Sequence, residues 1–491
     1  MKRFCMVMLF TVCCLLSVSA QEVLMRSCRT QKMPDRVAAA HRQRATLAGS
    51  DSQYVGDLRQ LVVLVSFSDQ SFMESDPRTL WDRVFNEEGF NEVVRIDSTK
   101  TESPFLGSVR DYFLEQSYGQ FRLTFDLHYI PLSESRVKYR STQQDDENSK
   151  YLVNDLADIL DTLDIDWPAY DWDDDGYIDQ LLIVYAGKGM NDGGGSNSIW
   201  PHQGWLSRHI QSTAHPVGDA DSPYYIDSYC CVQELTRGNT YGTFGTICHE
   251  YSHCFGFPDF YTQYGGVLES WDLMDSGNMN GKGFLPTGYS SYERMYMGWL
   301  TPTELSSPAH ITDMAPLTQS GEAYLIRNDG HPDEYYLLEN RQQEGWDGAL
   351  PGKGLTIFHV DYDETIWKYN EVNNYTKNRY HIIPANNQKY VTMSNGWAYP
   401  NQYNDALTND TKPAATLNYD NIDGKKLMSK PITNIQLTGN LVSFEFMSEA
   451  ATAILAPEAK AAHPEEILYR MGRIAIVRDS NGRVSKKAIK K

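Results

Sequence analysis

Residues 248–260 read CHEYSHCFGFPDF. Two histidines stand four apart, a glutamate follows the first, and Gly256 and Asp259 follow the second. On a helix, positions i and i+4 share one face about 6 Å apart, so His249 and His253 can turn ring nitrogens toward one ion. Glu250 is rotated about 100° around the axis, which carries it past the ion but within reach of a water held there. Gly256 can end the helix in a left-handed turn that a Cβ would resist, and Pro258 stiffens the return. Asp259 then arrives where it can close a tetrahedral set of three protein ligands and one open position. A structural zinc site would employ four protein ligands, often thiolates. The competing reading is a core helix whose histidines are merely satisfied, and the added Gly256 and Asp259 weigh against it.

The flanking residues fit that helix. Thr243 or Thr246 in NTYGTFGT can cap its start. Cys248 and Cys254 lie off the histidine face and read as small buried hydrophobes.

Chain-wide features narrow the function classes. At 491 residues the chain is long enough for two or three domains, and its apolar content is ample to offset chain entropy. A formal charge of -20 argues against nucleic-acid binding and suits cation binding. Residues 1–20, MKRFCMVMLFTVCCLLSVSA, have a basic start, a short apolar run and small residues at Val18 and Ala20. That is the pattern of a secretory signal peptide cut after Ala20, which predicts a secreted or cell-surface protein. No later stretch is long and charge-free enough to span a bilayer, so no transmembrane segment is expected in the mature chain. Cys28, Cys230, Cys231, Cys248 and Cys254 then remain, an odd set that is no disulfide scaffold.

Periodicity gives a mixture of strands and helices up to about residue 300. LRQLVVLVSFSD (58–69) reads as a buried strand, and FRLTFDLHYIPL (121–132) and YIDQLLIVYAG (177–187) as further strands. GSVRDYFLEQSYG (107–119) and YLVNDLADILDTL (151–163) have helical spacing. Beyond residue 300, short strands such as YYLLENRQQ, GLTIFHVDYD and NLVSFEFM predict a mainly β, sandwich-like region.

A second cation is suggested by DWDDDGYID (171–179). Asp171, Asp173, Asp175 and Asp179 offer carboxylates and Tyr177 its carbonyl, with Gly176 at the bend, the oxygen-rich alternation that calcium favours. Leu182 stands where a hand-type loop would place its bidentate glutamate, so another segment would have to complete the shell. The plain alternative is a solvated acidic turn. His202 in WPHQGW and His359 in FHVDYD are lone histidines, more often structural than ligating.

Taken together, HEYSHCFGFPDFY and SWDLMDSGNMNGKGFLPTGYSSYERMYMGWL resemble the M6 family of metallopeptidases, the immune inhibitor A-like group. SVRDYFLEQSYGQFRLTFDL, DWDDDGYIDQLLIVYAG, SIWPHQGW and YYLLENRQQEGWDGALPGKGLTIFHVD resemble family blocks in the same order, so the likeness covers roughly residues 55–448. It implies an α+β chain, a zincin-like metalloprotease domain followed by the β-rich region. It also implies His249, His253 and Asp259 as zinc ligands, Glu250 as general base, and Met274 as the methionine flooring the site. Where related enzymes place a tyrosine to steady the oxyanion, this chain has Ser276, and Tyr289 or Tyr292 is the expected substitute. Cys254 stands where the family often has an acidic residue, and Cys28 in the short pre-segment is a candidate latency ligand.

The expected organisation is a signal peptide at 1–20, a pre- or pro-segment at 21–57 and a zinc-metalloprotease domain at 58–300. A C-terminal β-rich region at 301–450 and a linker with a basic tail at 451–491, a candidate remnant of a sorting segment, would complete it. The expected function is a secreted zinc-dependent endopeptidase acting on protein or peptide substrates, with calcium as a second cofactor. A serine-type hydrolase is disfavoured because no nucleophile elbow is present in a suitable strand–turn–helix context. A non-catalytic, calcium-dependent adhesin is the remaining alternative, and Glu250 argues against it, since metal binding alone does not need that residue.

Overall fold

The computed structural model of the chain describes residues 54–448 apart from 97–98, 143–144, 263, 375–376 and 389–390, and three strands within 466–488. The expected signal peptide, Cys28, nearly all of the expected 21–57 pre-segment and the expected linker after residue 450 lie outside the described residues.

The catalytic-domain candidate is built on five strands: β1 (Gly56–Ser66), β2 (Phe121–Pro131), β3 (Leu181–Lys188), β4 (His202–Trp205) and β5 (Ser228–Leu235). Their order is β2–β1–β3–β5–β4, parallel throughout except for the antiparallel edge strand β4. Four helices cover the sheet: α1 (Pro77–Asn86), α2 (Val109–Gln116), α3 (Ser149–Leu160) and α4 (Phe244–Cys254). The apolar run of β1 supplies both faces, as a sheet covered on both sides requires. Leu61, Val63 and Val65 join Leu152, Leu156 and Leu160 of α3 in one core. Val62 and Leu64 join Trp81 of α1, Phe113 of α2 and Ile247 of α4 in the other.

Local chemistry fixes the helix starts. Asp76 caps α1 ahead of Pro77, whose missing N–H costs nothing at that position. Ser108 and Asp111 form a reciprocal capping box on α2. At α4 the cap residue is Thr243, but its hydroxyl donates to the Glu234 carbonyl (3.0 Å) and makes no cap bond. The expected threonine cap is therefore a link to β5 instead.

Beyond residue 300 the expected sandwich is present. Strands β6 (Thr303–Glu304), β7 (Ala309–Met314), β8 (Ala323–Arg327), β9 (Glu334–Arg341), β10 (Gly354–Asp361), β11 (Tyr380–Ile382), β12 (Ile432–Thr438) and β13 (Leu441–Phe446) form two sheets. Their orders are β6–β8–β9–β10–β11 and β7–β13–β12. Tyr336, Leu338 and Ile357 of one sheet pack with Ile432, Val442 and Phe444 of the other. The alternate residues Leu337, Phe358 and Tyr380 face the opposite way, into the core that holds α4. The β-rich region thus backs directly onto the candidate site. In the tail, Glu466–Met471, Ile474–Arg478 and Val484–Ala488 pair as an antiparallel three-stranded sheet where a linker and basic tail were expected. No described helix is long and apolar enough to cross a membrane.

Candidate active site

Helix α4 runs to Cys254, and Gly256 follows at φ 96°, the left-handed turn expected of it. The turn returns the chain so that Asp259 meets both histidines. His249 Nε2 lies 3.2 Å from His253 Nε2, and Asp259 Oδ1 lies 3.4 Å and 3.3 Å from the two nitrogens. All three residues are buried.

The far ring atoms are tied down by the backbone. The Leu273 carbonyl lies 2.8 Å from His249 Nδ1, and the Phe257 carbonyl lies 2.7 Å from His253 Nδ1. A carbonyl only accepts, so each Nδ1 carries the proton and each Nε2 keeps its lone pair for the shared point. Leu273 is the residue before Met274, which is fully buried in the same core. Burial pushes the Asp259 carboxyl up, and the two imidazoles beside it, in their protonated form, outweigh burial and hold it below the usual carboxylate range.

This donor set suits zinc. Four ligands about 2.0–2.1 Å from a tetrahedral centre are spaced about 3.3–3.4 Å apart, close to the three separations observed. Neutral imidazole pairs and a carboxylate are the ligand types zinc takes, and three protein ligands leave one position open.

Glu250 lines a cleft of about 580 Å³ with Tyr261, Glu269, Asp275, Ser276 and Lys282. The glutamate is 1% exposed. Tyr289 is placed differently from expectation. It is wholly buried against Phe257 and Trp299, and its hydroxyl shares a 2.5 Å hydrogen bond with Ser252. Its polar end is engaged in the core, so the oxyanion role expected of it is not supported. Tyr292 is also core, its ring tilted against that of Tyr380. Tyr261, which does line the cleft, carried no distinguishing sequence signal.

Asn370 was also invisible in sequence. Its Nδ2 donates to Asp259 Oδ2 (2.9 Å), and the Asp259 N–H donates back to its Oδ1 (2.6 Å). Nearby, Asn373 donates to the Phe260 carbonyl (2.7 Å). The loop between β10 and β11 therefore clasps the third ligand candidate.

In the acidic loop, Asp171, Asp173 and Asp179 bring one carboxylate oxygen each within 4.8 Å of one another. Asp171 also accepts the N–H groups of Asp175 (3.0 Å) and Gly176 (2.9 Å), while Asp175 accepts that of Tyr177 (2.9 Å). The Asp175 carboxylate is thus turned to the backbone of its own loop. His202 bonds to the Trp200 carbonyl and Tyr229, and His359 to Glu334 (2.7 Å), both inside the fold. The four described cysteines are free, and Cys248 is fully buried.

Comparison with known proteins bears on this geometry. Over 290 residues the chain is 25% identical to immune inhibitor A of Bacillus thuringiensis subsp. alesti, covering 51% of this chain and 41% of that protein. Over 166 residues it is 31% identical to the pre-pro-metalloprotease PrtV of Vibrio cholerae serotype O1 (strain M66-2), covering 30% of this chain and 18% of that protein. The matched stretches span less than half the length of these relatives. Residues 49–300, just over half the chain, match the immune inhibitor A peptidase M6 catalytic domain, a metallopeptidase family, and the chain belongs to that family.

Proposed function

We propose that the protein is a secreted zinc-dependent endopeptidase that hydrolyses peptide bonds of protein substrates. The observation that carries the reading is the convergence of His249 Nε2, His253 Nε2 and Asp259 Oδ1, with Glu250 one residue along the helix and facing a cleft. His249, His253 and Asp259 would hold the ion. When bound, zinc would supply Lewis acidity that lowers the pKa of a water toward ~7 and polarises the substrate carbonyl.

The chain's own groups do the rest. Glu250 takes one proton from the attacking water as its oxygen bonds to the carbonyl carbon. As the C–N bond breaks, Glu250 passes that proton to the leaving nitrogen, giving a carboxylic acid and an amine, and the acid's remaining proton then moves to the amine to leave a carboxylate and an ammonium. The two backbone carbonyls hold the imidazoles in one tautomer, and Asn370 holds Asp259. Met274, buried in the segment that carries Leu273, would floor the site. Burial of the three ligand candidates excludes competing water.

The signal-peptide pattern at 1–20 supports export. The carboxylates of Asp171, Asp173 and Asp179 are proposed to take calcium, an ion that would pin the start of β3.

The deciding experiment uses Glu250→Gln in the full chain. Zinc content by metal analysis should equal that of the parent, while cleavage of casein or gelatin should fall by about three orders of magnitude or more. Cleavage at the parent rate would remove Glu250 from the mechanism, and an adhesin would show no chelator-sensitive cleavage at all.

A further inference from the structure

The cleft beside Glu250 carries an acidic pair that the hydrolytic step does not use. Glu269 and Asp275 both line it and are 6% and 3% exposed. They face one point: a Cβ on Gly266 would lie 2.6 Å from Glu269 Oε1 and 2.8 Å from Asp275 Oδ1.

The two carboxylates differ in their supply of donors. Asp275 Oδ2 accepts the N–H groups of Val267 and Leu268, each at 2.8 Å, and Oδ1 accepts the Ser276 hydroxyl at 3.0 Å. For Glu269, among the described residues, no group donates a hydrogen bond to the carboxylate and no cation pairs with it. Burial, and then the Asp275 charge, push its carboxyl up to about 7. Its carboxylate opens onto the cleft with no donor from the described residues, so a cation brought in along the cleft would supply the missing partner. The cleft as a whole favours such a guest, since its lining sets Asp192, Glu250, Glu269 and Asp275 against Lys282.

We infer that Glu269, beside Asp275, is a specificity residue that receives the guanidinium or ammonium of an Arg or Lys side chain flanking the scissile bond, an inference that rests on the peptidase reading above. A calcium ion is the other cation to weigh. It wants about six to eight oxygens, and Asp275 has already committed both of its own to three donors. An Arg or Lys head needs only one or two carboxylate oxygens. The cleft also has the volume of an ordinary ligand site.

The test uses the zinc-loaded full chain and quenched fluorescent peptides that differ only by Arg or Leu on one or the other side of the cleaved bond. In the parent, kcat/KM should favour Arg by about tenfold or more on one side. Glu269→Gln should bring that ratio toward one, and Glu269→Lys should shift it toward a matching Asp peptide. A parent ratio near one, or a ratio unchanged in both variants, would overturn the inference. So would a parent ratio that collapses when calcium chloride is added to chelator-treated buffer, which would give the pair to a divalent ion. Should neither the peptides nor casein be cleaved, the peptidase reading has failed, and fluorescence anisotropy of the intact peptides decides the cleft separately. An Arg preference in binding that Glu269→Gln removes supports the site, and equal binding overturns it.

Discussion

Asn370 and Asp259, 111 positions apart, exchange two hydrogen bonds, side chain to side chain and backbone to side chain. The amide thereby occupies Oδ2 and leaves Oδ1 directed at the histidines, 3.3–3.4 Å away. Outer partners of this kind orient a metal ligand and sharpen its geometry. Asn370→Ala should therefore weaken zinc affinity by about 10–100-fold while the protein still folds. Chelator competition on purified protein checks this, and an unchanged affinity would reduce Asn370 to a loop contact.

Glu234 gives the fold a pH dependence of defined sign. Its carboxylate accepts N–H groups from Met73 (2.7 Å) and Gly187 (2.9 Å), yet burial outweighs both and pushes it up to about 7 from an ordinary 4.5. Between those values the folded chain holds a proton that the unfolded chain has lost. The stability from this group is therefore greatest below pH 4.5, declines as pH rises toward 7, and is level above it. Glu234→Gln stays neutral throughout and should flatten the decline between pH 5 and 8 by up to about 3 kcal/mol. Denaturant unfolding of the metal-free proteins at both pH values measures it; parallel pH trends would contradict the assignment.

The acidic loop makes a separate prediction. Asp171 braces the loop through two backbone N–H groups, so replacing it would disturb the turn whether or not an ion binds. Asp173 is exposed and tests ion binding more cleanly. Calcium at about 100 times its dissociation constant should stabilise the parent by about 2.7 kcal/mol, seen as a raised Tm, and Asp173→Ala much less. Equal calcium responses in the two proteins would leave the cluster as a solvated turn.

Legibility in the sequence followed chain distance. His249, Glu250, His253, Gly256 and Asp259 lie within one helix and its turn, where spacing alone determines which side chains converge. The run LVVLV of β1 likewise marked a strand buried on both faces. Asn370 reaches the site only because β10 and β11 pack behind it, and asparagine in a loop has no period to betray it. Glu269 and Asp275 follow no spacing that marks them, and only the fold buries them beside the cleft. Tyr289 sits in a tyrosine-rich stretch, and composition there could not say which ring meets the cleft and which packs under Trp299.

Arg341 supplies the last prediction. It is 1% exposed and donates to Asp347 (2.6 and 2.7 Å), Glu339 (2.9 Å), Thr287 (2.9 Å) and the Gly288 carbonyl (3.0 Å). Three of these partners lie outside β9, so one guanidinium ties the sandwich to the 287–288 segment and to the 345–349 turn. Arg341→Met would leave Glu339 and Asp347 buried without their counter-charge, which should cost about 3–5 kcal/mol. Lysine lacks the planar fork and should recover only part of that. Arg83 offers the contrast: its contact with Glu87 is just as short (2.5 Å), but the side chains are 41% and 43% exposed. Water screens that pair, so Arg83→Ala should cost no more than about 1 kcal/mol. Denaturant unfolding of both variants decides the matter, because similar losses at the two positions would mean that burial does not set the strength of the Arg341 cluster.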